Sequence, residues 1–464
     1  MTRFAARFLR VISCISLVLA IADAQNADFD PSVNHYSWSF SIANDSANGF
    51  SVEYHNWYKV VTNHQLNERY ALVCCDQPLD NFTNQYNAAI NTPVTNVGIE
   101  NVRDILPYME LLGLADSVKA IQGYQNVTSP CYGNVTDTPG SNTVDLMFSE
   151  HSNTNLQGNP PYVGFTPDND NLSPLQKASW LVYIAMFFDM EGVATTIFGN
   201  IDNIYNCHKA NLEDMADKKN IAWTSYDPTN NSWTIVNDNF HAALVKDSGA
   251  LLISPNSAQS NVYTQLNEFH TAIRLADYVI DITPLENLGN QSYDSWLNLG
   301  GFVSGTDIYN EPFIADKGLY RTDGLVNTNG ISDWSQRSPA RPDLALRDVI
   351  HMFAPTYEPD YQLTWLRNFA KGDYTRQIAD SGYQCNATEI VKKATCDAHK
   401  YGSDSEAGDE VPSGGHTLST GGKAGISVGV IVFAIGAAAV AFFLYRRHRQ
   451  VKASRPFYRM NDVS

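Results

Sequence analysis

The chain has 464 residues, of which 44% are hydrophobic and 11% aromatic, and this is enough apolar material for two packed domains. Its 31 Lys and Arg against 49 Asp and Glu give a formal net charge of −18, which argues against a nucleic acid or an anionic lipid surface as partner. The same charge permits a cationic or metal-complexed ligand, although the solubility of a secreted glycoprotein explains it more simply.

The N-terminus has the pattern of a secretory signal peptide. Three arginines precede an apolar run over residues 11–21, and Ala22 and Ala24 place small residues at the alternate positions that signal peptidase needs. We therefore expect residues 1–24 to be removed, with Gln25 as the mature N-terminus. A retained signal anchor is the alternative, but the apolar run is short and ends in a cleavage-like triplet.

The first predicted lobe spans residues 25–172. Its predicted strands lie at 51–54, 59–62, 70–73, 93–97, 116–121 and 144–148. A helix is predicted at 105–112, with Gly113 at its C-terminal cap. Strands that alternate with helices predict parallel pairing with right-handed crossovers.

A long apolar helix separates the two blocks. Ser173 and Gln176 can form a capping box at its start. The helix is expected over residues 173–208, with a break near Gly192 or Gly199. It is apolar on more than one face, so it can touch two separate cores and connect two lobes.

The second predicted lobe repeats the alternation over residues 209–375. Its predicted strands lie at 221–226, 232–236, 251–254 and 278–283, and its predicted helices at 240–246 and 267–275. The first two strands pair around a turn-rich link. Residues 376–423 are interpreted as a cysteine-containing segment and a flexible stalk.

The C-terminal end predicts a membrane anchor. Residues 424–445 carry no charge, match the roughly 20 residues that a helix needs to cross the hydrocarbon, and precede a cluster of arginines. We expect a single-pass type I membrane protein, most simply at the plasma membrane, with an extracellular or lumenal ectodomain and a cytoplasmic tail over residues 446–464. Gly425 and Gly429 form a GxxxG pair, so a homodimer through this helix is a further candidate beside the lipid bilayer. The fold class is thus α/β: two lobes, each a mostly parallel sheet flanked by helices, joined by a long helix and followed by a transmembrane helix.

Cysteines and glycosylation motifs fit an oxidising secretory compartment. Beyond the signal there are six disulfide candidates: Cys74, Cys75, Cys131, Cys207, Cys385 and Cys396. Of the fifteen pairings that six cysteines allow, Cys385 with Cys396 is the simplest to accept, while Cys74 and Cys75 are expected to bond to distant partners. A zinc site is the alternative, but no paired CxxC or HxxxH spacing exists, so no metal is predicted. Acceptor sequons occur at Asn44, Asn81, Asn126, Asn134, Asn171, Asn230, Asn290 and Asn386.

Four segments carry a family resemblance. Residues 111–118, LLGLADSV, are similar to a signature that follows the second helix of periplasmic solute-binding proteins of the siderophore, haem and cobalamin type. Residues 173–191 resemble the start of that family's rigid interlobe helix, and residues 276–281 and 341–351 resemble a strand element and the closing helix. The resemblance covers roughly residues 51–369. It implies a bilobal protein that holds a ligand, such as a metal chelate, in the cleft between its lobes with little hinge motion.

The chain departs from that family in anchoring and delivery. Bacterial members are free in the periplasm or carry a lipobox cysteine at the cleavage site, whereas Gln25 stands there in this chain. Anchoring falls instead to residues 424–445. The acidic residues through which bacterial members deliver ligand to an importer have no assigned counterparts here. The resemblance therefore implies ligand capture and leaves delivery to an importer in doubt.

An enzyme is not predicted, and neither is a cofactor. Asp189 and Glu191 stand two positions apart in a predicted helix, so they do not face each other as an acid and base pair would. Ser304 lacks the GxSxG elbow of a hydrolase, and glycine-rich phosphate loops are absent from the sequence. Three histidines in apolar helical patterns are interpreted as structural: His241, His270 and His351.

The ligand contacts are predicted from topology, since ligands of open α/β sheets bind beyond the carboxyl ends of strands. The side chains on such segments that we predict to contact the ligand are Gln77, Asn101, Tyr124, Tyr226 and Ser254. Arg321 is a candidate anion contact, and a surface salt bridge is the alternative role for it. For Tyr124 and Tyr226, packing within the protein is the alternative to ligand contact. The predicted function is a membrane-anchored extracellular protein that binds a small molecule. The alternative is a structural or adhesive surface glycoprotein that kept the fold and lost the pocket.

Overall fold

The computed structural model describes residues 29–36, 49–82, 85–133, 135–137, 144–150, 160–255 and 260–402. The predicted signal peptide, the predicted transmembrane helix with its GxxxG pair, the cytoplasmic tail and the sequons at Asn44 and Asn134 lie outside these residues. Within the described ranges, no helix is both long and apolar enough to cross a membrane.

The first lobe begins with a four-stranded sheet. Its strands, in spatial order, are β1 (Phe50–Tyr54), β2 (Tyr58–Asn63), β3 (Glu68–Val73) and β4 (Ala88–Asn91). β1, β2 and β3 pair antiparallel, and only β4 is parallel to its neighbour β3. The expectation of parallel pairing is wrong for this sheet, because turns of three and four residues join β1 to β2 and β2 to β3. A parallel crossover needs about a dozen residues or more.

The second sheet of the first lobe is parallel throughout, as predicted. Its strands are β5 (Val97–Glu100), β6 (Val118–Ile121), β7 (Leu146–Ser149) and β8 (Tyr162–Gly164), in the order β6, β5, β7, β8. Helix α1 (Leu106–Leu111) lies on the crossover from β5 to β6. Gly113 follows it with a φ of +73°, the left-handed conformation that ends many helices and that glycine adopts without a steric penalty.

Two helices, not one, follow the first lobe: α2 (Pro174–Ala185) and α3 (Glu191–Leu212). The predicted capping box of Ser173 and Gln176 begins α2. The predicted break near Gly192 is present, although neither Gly192 nor Gly199 forms it, since both lie inside α3. The chain turns three residues before Gly192, at Asp189, which adopts a left-handed φ of +52°.

A buried lysine holds this turn in place. Lys59 of β2 is fully buried, and its Nζ lies 2.7 Å from Oδ1 of Asp189 and 2.5 Å from Oε1 of Glu191. The two carboxylates thus converge on one cation, contrary to the expectation from a continuous helix, because Asp189 stands outside the helix. A buried charge is very costly unless it is paired, so this ion triad ties the first sheet to the turn between α2 and α3.

The connection between the lobes is α3. Ile197 and Ile201 pack in the core of the first lobe, together with the buried face of α2. Further along the same helix, Tyr205 and Leu212 pack in a core of the second lobe. One helix therefore contributes apolar side chains to both lobes, as the apolar pattern predicted for the longer segment.

The second lobe is built on a mixed seven-stranded sheet. The strands of this lobe are β9 (Asn220–Asp227), β10 (Ser232–Ile235), β11 (Leu251–Leu252), β12 (Val262–Tyr263), β13 (Tyr278–Asp281), β14 (Leu319–Arg321), β15 (Leu325–Val326), β16 (Arg367–Asn368) and β17 (Arg376–Gln377). The main path runs β12, β10, β9, β13, β14, β16, with β11 also paired to β9, while β15 and β17 form a separate pair. β9, β13 and β14 are parallel neighbours, and β9 with β10 forms the predicted hairpin.

Helices cover both faces of this sheet. They are α4 (Asn239–Asp247), α5 (Leu266–Ile273), α6 (Tyr293–Leu299), α7 (Pro312–Ala315), α8 (Trp334–Arg337) and α9 (Pro342–Phe353), followed by α10 (Thr388–Lys393). Alternate residues of the central strands enter different cores: Trp223 and Ile280 pack with α4 and α9, whereas Ala222 and Val279 pack with α5 and α6. Burial on both faces explains why these strands are apolar without alternation.

The segment after β17 packs back onto both lobes. Ala387 and Val391 lie in the core of the first lobe. The described disulfides are Cys131–Cys385, Cys207–Cys396 and Cys74–Cys75. The expected pair of Cys385 with Cys396 is wrong, because the segment runs from the first lobe to α3 and presents each cysteine to a different element. The adjacent cysteines bond to each other and not to distant partners.

Six of the predicted sequons fall within the described residues. Five of their asparagines are exposed: Asn81, Asn171, Asn230, Asn290 and Asn386. Asn126 is half-buried, and its backbone carbonyl accepts a hydrogen bond from Nε2 of Gln336 at 2.8 Å. Glycosylation at these positions stays a prediction.

Candidate ligand cleft

Two adjoining cavities lie between the lobes, at the carboxyl ends of parallel strands. One, of about 580 Å³, is lined by residues that follow β5, β7 and β8. The other, of about 770 Å³, is lined by residues that follow β13 and β14. Both are lined by Asp168, Ser335 and Pro339, so they are neighbouring parts of one cleft. We call it the interlobe cleft, with a first-lobe half and a second-lobe half.

Carboxylates dominate the first-lobe half. Asp104, Glu150 and Asp168 line it, with Arg103 as the neighbouring cation. Oδ1 of Asp168 accepts a hydrogen bond from Nζ of Lys177 at 3.2 Å. In the part of the chain that the structure describes, neither Asp104 nor Glu150 forms a salt bridge. This half of the cleft therefore offers acceptor groups that the fold leaves without a cation.

The carboxyl of Asp104 has a raised pKa. Burial, and after it the negative charge of Asp168, raises the pKa of its carboxyl to about 7, with a smaller contribution from Glu150. At neutral pH the carboxyl is close to half-protonated. A cation bound beside it would favour the ionised form and release the proton.

The second-lobe half contains a buried ion network. Arg321 is 2% exposed; its Nη1 donates to Oδ1 of Asp281 at 2.6 Å and its Nε to Oδ2 of Asp323 at 3.0 Å. Arg367 donates from Nε to the other oxygen of Asp323 at 2.6 Å. Two arginines and two aspartates thus neutralise one another. The alternative of a surface salt bridge for Arg321 is wrong, because β13 and β14 pair in a register that sets Asp281 beside Arg321 in the sheet interior.

The network affects its two carboxylates differently. At Asp281 burial dominates and raises the pKa, although the Arg321 charge opposes it. At Asp323 burial also acts to raise the pKa, but the hydrogen bond from Arg367 and the Arg321 charge together hold it below its usual value. Both acids are already satisfied inside the protein, so the network supports the floor of the cleft and offers little to a ligand.

An aromatic wall closes the second-lobe half. Phe240, His241 and Trp334 line it, and the His241 ring packs against Trp223 with the ring centroids 4.6 Å apart. Nδ1 of His241 lies 2.6 Å from a carboxylate oxygen of Asp238. Asp238 also caps α4 through the backbone N–H groups of Phe240 and His241. The wall is therefore rigid, and its ring faces suit a flat or apolar part of a ligand.

A second polar network joins the lobes near the cleft. Arg337 of α8 donates from Nη1 to Glu110 of α1 at 2.8 Å and from Nε to Asp333 at 2.9 Å, and all three side chains are buried. Asp333 also accepts a hydrogen bond from Oγ1 of Thr128 at 2.6 Å. Moving the lobes apart would break the buried ion pair of Arg337 with Glu110 and the hydrogen bond of Thr128 to Asp333, so these contacts oppose opening of the cleft.

Two of the predicted ligand contacts line the cleft, in different halves. Asn101 stands directly after β5 with a φ of +64° and lines the first-lobe half. Arg321 lines the second-lobe half. Tyr226 lies inside β9, where it is buried against Trp233, and its hydroxyl donates to Oδ1 of Asn231 at 2.8 Å. Packing, the alternative reading for Tyr226, accounts for these contacts.

The other three predicted contacts lie away from both cavities. Tyr124 is 36% exposed and begins a short 3-10 turn. Ser254 is exposed just beyond β11. Gln77 donates from Nε2 to the carbonyl of Cys75 at 3.0 Å. Of the five residues that the strand-end argument chose, Asn101 alone lines one of the two cavities, and it follows a parallel strand whose carboxyl end lies at the cleft.

Sequence reasoning missed the acids of the first-lobe half. Glu150 follows β7 directly, and Asp104 lies four residues beyond the end of β5. The strand-end argument selected both segments, but it favoured amide and aromatic side chains and passed over carboxylates. The signal was thus present in the sequence, since an acid directly after a buried strand is a candidate contact by the same argument.

Comparisons with known proteins give structural likeness only. No family model matches the chain, and no curated protein matches its sequence. Among solved structures the chain is similar to a periplasmic binding protein from Veillonella parvula, with 10% identity over 59% of this chain and 89% of that one and a TM-score of 0.45. It is also similar to a periplasmic haem-binding protein from Vibrio cholerae, with 13% identity over 54% of this chain and 99% of that one and a TM-score of 0.41. A third similar structure is a petrobactin-binding protein from Bacillus subtilis, with 14% identity over 56% of this chain and 93% of that one and a TM-score of 0.40.

Proposed function

We propose that this protein is a membrane-anchored extracellular binding protein that holds a small molecule in the interlobe cleft without changing it chemically. The observation that supports this most is the cleft itself, with cavities of about 580 and 770 Å³ at the strand ends of both lobes. Cavities of this size are typical of ligand sites, which bury most of the ligand's surface. The anchoring part of the proposal depends on the sequence of residues 1–24 and 424–445.

The charges of the cleft favour a neutral or cationic ligand, including a metal-complexed one. Asp104 and Glu150 form no salt bridge among the described residues, whereas the cations Lys177 and Arg321 are each bonded to a carboxylate. An anion entering this half would meet three carboxylates and one cation, Arg103, so the balance of charge is negative. The formal net charge of −18 acts in the same direction.

Binding is favoured over catalysis because the acid–base groups of the second-lobe half are engaged within the fold. Arg321 is bonded to Asp281 and Asp323, and His241 to Asp238. The alternative, a surface glycoprotein without a pocket, fits poorly with open cavities at the strand ends. A negative binding result would favour the surface glycoprotein.

The test uses the full-length protein purified in detergent. Native mass spectrometry would reveal a co-purifying mass, and thermal unfolding would then be followed with neutral, cationic and anionic ligands, including ferric chelates, haem and cobalamin. A ligand at a hundredfold excess over its Kd stabilises the folded state by about 2.7 kcal/mol. We expect such a shift from a neutral or cationic member of the panel.

The matched variants separate the cleft from the rest of the surface. Glu150→Gln should weaken the binding of a cationic ligand, whereas Asp217→Asn, at an exposed acid outside both cavities, should not. No co-purifying mass and no shift with any ligand would reject ligand capture and favour the glycoprotein alternative.

A further inference from the structure

A second group of metal-ligating side chains lies outside the interlobe cleft. A ring nitrogen of His35 and the Sγ atoms of Cys74 and Cys75 all lie within 4.8 Å of one another. His35 and Cys75 are exposed, and Cys74 is 7% exposed. None of the three lines either cavity of the cleft, so whatever this cluster does is independent of the proposed ligand site.

The turn between β1 and β2 holds both parts of the cluster. The backbone N–H of His35 donates to the carbonyl of Asn56 at 2.7 Å, and the N–H of Cys74 donates to the carbonyl of Trp57 at 3.0 Å. The ring of Phe29 stacks on His35, with centroids 5.1 Å apart, and packs edge-on against Trp57. These contacts do not involve the sulfur atoms, so they keep His35 beside the cysteines whether or not the disulfide is intact.

His35 is oriented in the way that metal-binding histidines are. Its Nε2 lies 3.0 Å from the backbone carbonyl of Asp30. A carbonyl only accepts hydrogen bonds, so we assign the ring proton to Nε2, which leaves the lone pair on Nδ1. Histidines that bind metals almost always donate their other ring N–H to such an acceptor, which fixes the ring and raises its basicity.

The disulfide between Cys74 and Cys75 engages both sulfurs. A small monothiol can open it by exchange: two thiol molecules form one external disulfide, the bond between the cysteine sulfurs breaks, and each cysteine gains a proton. A divalent cation can then displace these two protons and bind both thiolates and Nδ1 of His35. Water would complete a tetrahedral arrangement.

We propose that His35, Cys74 and Cys75 form a redox-gated site for a thiophilic divalent cation of the Zn²⁺ or Cd²⁺ class. The site takes no metal in the disulfide form, and it becomes competent when the pair is reduced. Two thiolates and an imidazole select soft and borderline cations, whereas Ca²⁺ and Mg²⁺ require oxygen ligands. Because Cys75 is exposed, a small thiol can reach the pair without unfolding the protein.

The test titrates the full-length protein with Cd²⁺ and follows the ultraviolet charge-transfer band of cadmium–thiolate bonds. We expect one tightly bound Cd²⁺ per chain after treatment with the monothiol and none before it. His35→Gln should weaken the affinity by about tenfold or more, as the loss of a metal contact typically does. Replacement of Cys74 and Cys75 by serine should abolish the band. Replacement of Cys131 and Cys385 by serine is the matched control, and it should leave the band unchanged.

Alkylation and mass mapping of the wild-type chain provide a readout that does not depend on the folding of any variant. We expect Cys74 and Cys75 to be alkylated under the thiol conditions that produce Cd²⁺ binding, with the state of the other two disulfides mapped in the same digest. The proposal is overturned if the thiol-treated protein binds Cd²⁺ while these two cysteines are not alkylated. It is also overturned if reduced wild type and the Cys74, Cys75 double variant bind Cd²⁺ equally, or if His35→Gln binds it as tightly as wild type. None of these results bears on ligand binding in the interlobe cleft.

Discussion

The two halves of the interlobe cleft differ in how their charged side chains are paired. In the second-lobe half, Arg321 donates to Asp281 at 2.6 Å and to Asp323 at 3.0 Å, and Arg367 completes a network of two arginines and two aspartates. In the first-lobe half, Asp104 and Glu150 have no such partner among the described residues. A paired network is satisfied by the fold, whereas an unpaired carboxylate is satisfied only by a proton, by water or by a ligand. One half of the cleft thus contains a network that the fold pairs internally, and the other contains carboxylates that form no salt bridge among the described residues.

The largest loss of stability is expected from breaking the ion network of the second-lobe half. Arg321→Leu leaves the buried carboxylates of Asp281 and Asp323 with less or no compensation, and such a change typically costs about 3–5 kcal/mol. Urea denaturation of the full-length protein measures the free energy of unfolding. The matched control is Lys219→Ala, which removes the exposed ion pair with Asp217 and should cost less than about 1 kcal/mol. A loss as small as that of the control would mean that the network does not stabilise the second lobe.

A change of intermediate size is expected from the first-lobe half, where Asp104 should make the stability of the folded protein depend on pH. The pKa of Asp104 is about 7 in the folded protein and about 3.9 in the unfolded chain. Between these values the folded state holds a proton that the unfolded state has lost, so stability falls as pH rises from about 4 to about 7. Asp104→Asn removes this term: relative to wild type, the variant should gain stability as pH rises from about 4 to about 7, and it should be more stable than wild type above pH 7.

Unfolding midpoints of wild type and Asp104→Asn, measured across that pH range, check the second prediction. His208 and Glu311 are background that both proteins share. Burial lowers the pKa of His208 to about 4, so its contribution is lost as pH falls below about 6.5 and its slope is opposite in sign to that of Asp104. Burial raises the pKa of Glu311 to about 7, so its slope has the same sign as that of Asp104. Parallel curves for the two proteins would contradict the assignment of an unpaired acid to the first-lobe half.

The smallest effect is expected at Tyr226, which the sequence placed at the cleft and the structure places in the second-lobe core. Tyr226→Phe removes one hydrogen bond, to Asn231, and should cost about 0.5–1.5 kcal/mol in the free energy of unfolding. Ligand affinity, once a ligand is found by the thermal-shift panel, should not change. A tenfold loss of affinity in this variant would restore Tyr226 as a binding residue and weaken the comparison between the two halves.

Local signals in the sequence predicted much of the fold. The capping box at Ser173 and Gln176, the glycine at position 113 and the hairpin of β9 and β10 each depend on a few neighbouring residues, and all three are present. The parallel order of β5 to β8 followed from the alternation of strands and helices. The prediction failed for β1 to β3, where apolar runs marked the strands correctly but short turns decided their direction.

The sequence by itself determined the α/β fold class, the start of α2 and the segments that border the cleft, because these depend on contacts within a few residues. Only the tertiary structure decided which distant groups meet. Cys131 finds Cys385 across 254 residues, and Lys59 finds Asp189 and Glu191 across 130 and 132. The same holds for charge: the packing of the whole chain decides whether an acid beside the cleft forms a salt bridge, like Asp323, or forms none among the described residues, like Asp104. The residues next to such an acid in the sequence do not predict that packing.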